Sequence, residues 1–241
     1  MENEWHRGEA GLYLERGEAL EQAGRLEEAM SEYKRAVRAD PGLAEAHMAL
    51  GFHYRRKNLL SKAAEEFRTS ASLAPSYDSY CTLGHVLVDL GQPQEAIIAF
   101  RKCLPLAPDD PAVRYEIAYA HYVAGEPEAA LAELEPLLAS YPTDWELHYL
   151  SGSAQVAVGQ YAAAEASFRR AKELLPEGED GEGLEDALQS ALRHQEFATR
   201  EPWDVKARLY AEFGILCLGA QGDDGLRIPA LPRASLGYPD L

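Results

Sequence analysis

Pro41, Pro75, Pro108, Pro142 and Pro176 stand 34, 33, 34 and 34 residues apart. Ala29, Ala63, Ala96, Ala130 and Ala164 keep the same step, and so do Gly24, Asn58, Gly91, Gly125 and Gly159. Three ladders in register at one period constrain the chain to an array of near-identical helical units, each packed on its neighbours. Arrays of this kind bind other proteins more often than they perform chemistry.

One unit, from Ala44 to Ser76, shows why the period is helical. His47, Leu50, Gly51 and Tyr54 fall at i, i+3, i+4 and i+7, one face of a first helix. Asn58 stands where a left-handed residue ends that helix, a place held by glycine in the other four units. A second helix carries Ala63, Phe67, Ser70 and Ala71 on one stripe and stops before Pro75, which has no amide hydrogen to continue it. Gly51 and Ala63 let the two backbones approach, and Phe67 fills the wider end of the gap. Each pair leaves an apolar face that the next pair must cover.

These residues resemble the tetratricopeptide repeat, a 34-residue helix–turn–helix unit marked by aromatic, Leu, Gly, Tyr, Ala, Phe, Ala and Pro positions. The first unit (about 10–43) matches with Tyr13, Gly17, Ala29, Tyr33, Ala36 and Pro41, and the second (44–76) with Leu50, Gly51, Tyr54, Ala63, Phe67 and Pro75. The third (77–110) has Tyr80, Leu83, Gly84, Ala96, Phe100 and Pro108; the fifth (145–178) has Gly152, Ala164, Phe168, Ala171 and Pro176. The fourth (111–144) departs, with Ala118 for Gly, Leu134 for the aromatic and Leu137 for a small residue. The resemblance implies an all-α fold, a right-handed superhelix (α-solenoid) of five repeats over residues 1–178. The one short step falls between Pro75 and Gly84, in the turn between units.

Beyond the array, Glu177 to Asp186 holds six acidic residues, three glycines and no base, an acidic link. Leu184, Ala187, Leu188, Ala191 and Leu192 then predict an amphipathic helix over about 182–198 that caps the last repeat, within a segment spanning 179–200. Residues 201–241 read as a C-terminal extension, irregular or β-like. Ile215 to Leu218 is a short apolar run that pairs with Leu226 to Leu231 as a hairpin, or else begins a second, incomplete domain.

The net charge of −17 disfavours nucleic acid and anionic membrane surfaces as partners. The first residues have neither a basic region nor an apolar run, so no secretory signal is expected, and no stretch approaches the roughly 18 apolar residues of a membrane span. Cys81, Cys103 and Cys217, odd in number and widely spaced, argue for a reducing, cytoplasmic setting and against a disulfide framework or zinc site. The glycines at 219–225 lack the following helix and lysine of a phosphate loop, and Asp223 and Asp224 lack further ligands for a cation. The histidines form no His-x-x-x-His pair, and no serine or cysteine sits in a nucleophile elbow. No enzyme activity, cofactor or metal is expected within 1–200.

The resemblance implies that a stripe on each first helix lines the concave face and contacts ligand. Where family members that hold chaperone tails carry Lys and Asn, this chain has Leu14, Glu18, Ala49, Asp78 and Thr82, so that ligand is not expected. The middle of the stripe is aromatic instead: Phe52, Tyr115, Tyr119, Tyr122 and Tyr149, with Arg55 and His85 beside them, are the candidate partner-binding residues. Packing against the neighbouring first helix, or cover by the C-terminal tail folding back, is the competing role for Tyr115, Tyr119 and Tyr122, and helix-end stabilisation for Arg55. The expected function is a scaffold binding an extended or helical protein segment. The alternatives are the N-terminal scaffold of a larger enzyme and a self-associating structural repeat that forms a homo-oligomer.

Overall fold

The computed structural model describes residues 2–108, 110–176 and 182–199. The apolar run at 215–218, its hairpin alternative and the whole extension 201–241 lie outside the described residues. Among the described residues there are eleven helices and no strand. The helices are α1 (Glu2–Gln22), α2 (Leu26–Ala39), α3 (Ala44–Arg56), α4 (Leu60–Leu73), α5 (Tyr77–Asp89), α6 (Pro93–Cys103), α7 (Pro111–Val123), α8 (Pro127–Ser140), α9 (Trp145–Ala157), α10 (Tyr161–Leu174) and α11 (Glu182–Thr199). The chain divides into two compact units, Met1–Ala124 and Gly125–Leu241, each with its own helix packing.

The turns inside the repeats follow directly from one residue. Gly24, Asn58, Gly91, Gly125 and Gly159 all have φ between 57° and 78°. That left-handed conformation turns the chain back while its amides satisfy the last carbonyls of the helix. In the second repeat the Asn58 N–H donates to Arg55 O (2.9 Å) and the Leu59 N–H to Tyr54 O (2.9 Å). Gly91 and Gln92 repeat the pattern on Val88 and Leu87, and Gly159 and Gln160 on Val156 and Gln155.

Between repeats the proline ends one helix and a side chain starts the next. Asp110 accepts the Ala112 N–H at 2.9 Å and Asp144 the Glu146 N–H at 3.0 Å. Ser76 and Ser79 bond each other's amides as a reciprocal cap for α5. The proline carbonyls are used too. The ring Nε2–H of His47 donates to Pro41 O at 3.1 Å, and that of His148 to Pro142 O at 3.0 Å. The third repeat starts its helix two residues after Pro75, whereas α3, α7 and α9 start three after theirs. The missing residue is therefore taken from the turn.

In unit 1, α1 packs on α2, α3 on α4 and α5 on α6, and each pair packs on the next through α2–α3, α4–α5 and α6–α7. The whole alanine ladder is fully buried. The rings of Tyr33, Phe67, Phe100 and Phe168, one turn further along the same helices, are also buried. Each ring lies over a glycine of the facing helix. A Cβ at Gly17, Gly51, Gly84 or Gly152 would stand 2.4, 2.5, 2.4 or 2.7 Å from the ring's Cε1. The fourth repeat changes both positions, to Ala118 and Leu134, each fully buried.

In unit 2, α8 packs on α9, α9 on α10, and α11 on α10 and α9. Pro136 lies inside α8 and removes the amide that would bond the carbonyl of Ala132. Leu184, Leu188 and Ala191 of α11 are buried against a cluster with Phe168, Ala171, Trp145 and Tyr149. Burying such an apolar side chain is worth about 1.5–3 kcal/mol, which is why the last repeat does not stay open. The helix expected after the link thus caps the array.

The ring-over-glycine geometry makes a specific prediction. Gly84→Ala should destabilise the protein by about 1–3 kcal/mol in urea unfolding, because the methyl must displace Phe100. Adding Phe100→Leu to that background should cost less than Phe100→Leu costs alone. Strict additivity of the two losses would refute the steric account.

Candidate functional site

Six of the seven candidate residues lie in unit 1, on the first helices α3, α5 and α7, and Tyr149 lies in unit 2 on α9. Phe52 of α3 is half-buried, its ring edge-on to Phe67 with centroids 5.1 Å apart. His85 of α5 is half-buried, with its ring edge-on to Phe100 at 5.3 Å. Tyr119 and Tyr122 of α7 are half-buried and engaged with neighbouring groups. Tyr115 and Tyr149 are buried, at 8% and 5% exposure, and Tyr149 leans on Phe168 with centroids 5.7 Å apart. The reachable surface on this stripe therefore lies with Phe52, Arg55, His85, Tyr119 and Tyr122.

Polar side chains bridge each successive pair of first helices in unit 1. Arg56 of α3 lies 3.0 Å from the Glu21 carboxylate of α1. Arg55 of α3 lies 3.8 Å from Asp89 of α5, and His85 Nε2 of α5 lies 3.1 Å from Glu116 of α7. The two partly exposed arginine pairs contribute about 0–1 kcal/mol each, so they do not hold the fold. The effect of the bridges is on the surface: Arg55 and His85 already face carboxylates. Asp89 and Glu116 carried no signal as partners, because only the superposition of successive first helices brings residues about one repeat apart together.

The densest polar cluster sits at the first of these bridges. Glu21 also accepts the Tyr33 hydroxyl at 2.9 Å, and His53 Nε2 lies 3.5 Å away. Burial opposes ionisation of Glu21, but the Tyr33 hydroxyl, His53 and Arg56 outweigh it and hold the carboxyl below its ordinary 4.5. Burial, and then the bond to Glu21, push the Tyr33 hydroxyl up. His53 is 2% exposed and stacks obliquely on Tyr33, with centroids 5.2 Å apart. Burial pulls its ring below the ordinary 6.5; Glu21 opposes that shift and Arg56 adds to it.

Two cysteines far apart in sequence also meet. Cys81 of α5 and Cys103 of α6 are both buried, with their sulfurs 2.8 Å apart. Among the described residues no group of three or more His, Cys, Asp or Glu side chains could hold a metal ion. A shallow depression of about 380 Å³ between α8 and α9 is lined by Leu131, Leu138, Ser151 and Gln155, with Glu135 as its one ionisable side chain. Among the described residues no helix is long and apolar enough to cross a membrane.

Paired helices, buried small residues and a half-exposed first-helix stripe define an α-solenoid repeat protein. The chain belongs to the tetratricopeptide repeat family: sequence models of the tetratricopeptide repeat match residues 10–53, 87–154 and 146–177, together more than half of it. Solved structures share the fold. YrrB, described as a TPR protein with an unusual peptide-binding site, is 22% identical over 74% of this chain and 89% of its own, with a TM-score of 0.64. MamA is 23% identical over 68% and 91%, with a TM-score of 0.62. A thermophilic TPR protein of Thermus thermophilus is 22% identical over 76% and 98%, with a TM-score of 0.51.

The Glu21–His53 cluster predicts a pH dependence with a definite sign. Because the folded His53 ring binds its proton more weakly than the unfolded chain does, its contribution is complete above about pH 6.5 and is lost as pH falls through the folded value. The depressed Glu21 carboxyl contributes above about pH 4.5 and loses its contribution only below that. The urea midpoint should therefore fall between pH 7 and 5, and His53→Gln should flatten that part of the profile. An unchanged slope in the variant would remove His53 as its source.

Proposed function

We propose that this protein is an interaction scaffold whose first-helix stripe in unit 1 holds an extended or helical segment of a partner protein. The observation that carries the reading is the set of half-exposed aromatic side chains on that stripe, Phe52 of α3 with Tyr119 and Tyr122 of α7. Tyrosine offers large apolar area and a hydroxyl with only two side-chain torsions to restrain, which suits a surface that must grip a flexible chain. The rings are carried by helices packed on their neighbours in unit 1, α3 on α2 and α4 and α7 on α6, so little ordering accompanies binding. YrrB, a TPR protein of the same fold with an unusual peptide-binding site, supports this direction.

Arg55 and His85 flank the aromatic positions, each facing a carboxylate of the next first helix. An incoming segment would meet an arginine already paired with Asp89 and a histidine already facing Glu116, so apolar and aromatic side chains of the partner should dominate recognition. Tyr115 and Tyr149, being buried, act as supports for their helices rather than as contacts.

The test is a selection of binding peptides from a random library on the full chain, repeated on the Tyr119→Ala, Tyr122→Ala double variant. Loss of two such anchors should weaken the selected peptides at least about tenfold, with the helical circular dichroism signal retained. Equal affinity for both proteins, both folded, would place the binding surface elsewhere.

A further inference from the structure

We propose that Cys81 and Cys103 are a redox pair that closes a disulfide across the third repeat. The two sulfurs lie 2.8 Å apart, nearer than the roughly 3.5–4.0 Å of ordinary nonbonded contact. One comes from each helix of a single hairpin, and both side chains are buried.

The hairpin's own packing explains the meeting. Phe100 of α6 sits over Gly84 of α5, and this contact sets the register of the two antiparallel helices. Cys81 lies one helical turn before Gly84, and Cys103 one turn after Phe100, so the two are at one level. The close approach that the glycine allows also brings the backbones near, as a disulfide requires. Other repeats place Leu14 and Ala36, Met48 and Ser70, or Tyr149 and Ala171 at the equivalent positions. The thiols occur together only in the third.

The chemistry is exchange with a small-molecule disulfide as oxidant. Cys81, the slightly more exposed of the two at 4% against 0%, attacks as a thiolate. It forms a mixed disulfide and releases one small thiol. Cys103 then gives up its proton and attacks Cys81 Sγ; the bond to the small molecule breaks and the second small thiol leaves. Two electrons pass to the oxidant, which is reduced to two thiols. In the reduced protein the Cys81 sulfur, and then burial, push the Cys103 thiol well above its ordinary range. Its hydrogen has carbonyl acceptors at Tyr77 O (3.6 Å) and Ala99 O (3.8 Å). Cys103 therefore rests as a thiol until an oxidant engages Cys81.

The full chain would be refolded from urea into a buffer of oxidised and reduced glutathione, with a parallel sample held in urea. Both would be quenched with an alkylating reagent and mapped by mass spectrometry. Refolding gives every thiol access to the oxidant, and the urea sample measures closure of the same loop without the fold. The expected result is a Cys81–Cys103 linked peptide whose equilibrium against glutathione is at least tenfold more favourable in the refolded sample. An equal or smaller value after refolding, a link through Cys217, or recovery of both cysteines as thiols or glutathione adducts would overturn the proposal.

Discussion

The structure depends on one contact made again in each regular repeat: an aromatic ring of the second helix lying on a glycine of the first. The ring needs the space a side chain would take, and the glycine exposes backbone that only a large flat group covers well. A hydrogen atom in place of a methyl thus sets the helix spacing, and the ring fills it. The fully buried alanines beside it complete the seam. Because this contact fixes both distance and register within a hairpin, everything placed along the hairpin inherits its level.

Two consequences follow at different distances from that contact. Along the third hairpin it aligns residues one turn on either side, which is how Cys81 and Cys103 meet. Between hairpins, stacking brings successive first helices side by side. The carboxylates Glu21, Asp89 and Glu116 then fall against Arg56, Arg55 and His85. Two of these carboxylates are thus paired with arginines and the third faces a histidine. Under the proposed function, that stripe would offer a partner aromatic surface within a paired polar frame, a combination suited to side-chain recognition more than to long-range attraction.

Much of the fold was legible because its signals are local and recur. The left-handed turn positions are single-residue properties, and all five adopted the expected conformation, including Asn58 without glycine's freedom. The amphipathic stripe of Leu184, Leu188 and Ala191 needed only a helical period to be read as a cap. The candidate site was legible in part. The stripe could be located from position within the repeat, yet Tyr115 and Tyr149 at stripe positions are buried while Tyr119 and Tyr122 are half-exposed. Repeat position gives the direction of a side chain; burial depends on the volume of whatever neighbours it.

The sequence by itself determined the period, the helix pairs, the turns and the identity of the buried seam, since each rests on residues within one 34-residue unit. Tertiary structure alone decided which polar side chains face one another across helices, which tyrosines keep an exposed edge, and that Cys81 and Cys103 are neighbours. Those outcomes rest on distances between residues about 20 to 35 positions apart, set by how backbones pack, and no ladder of residue types encodes them.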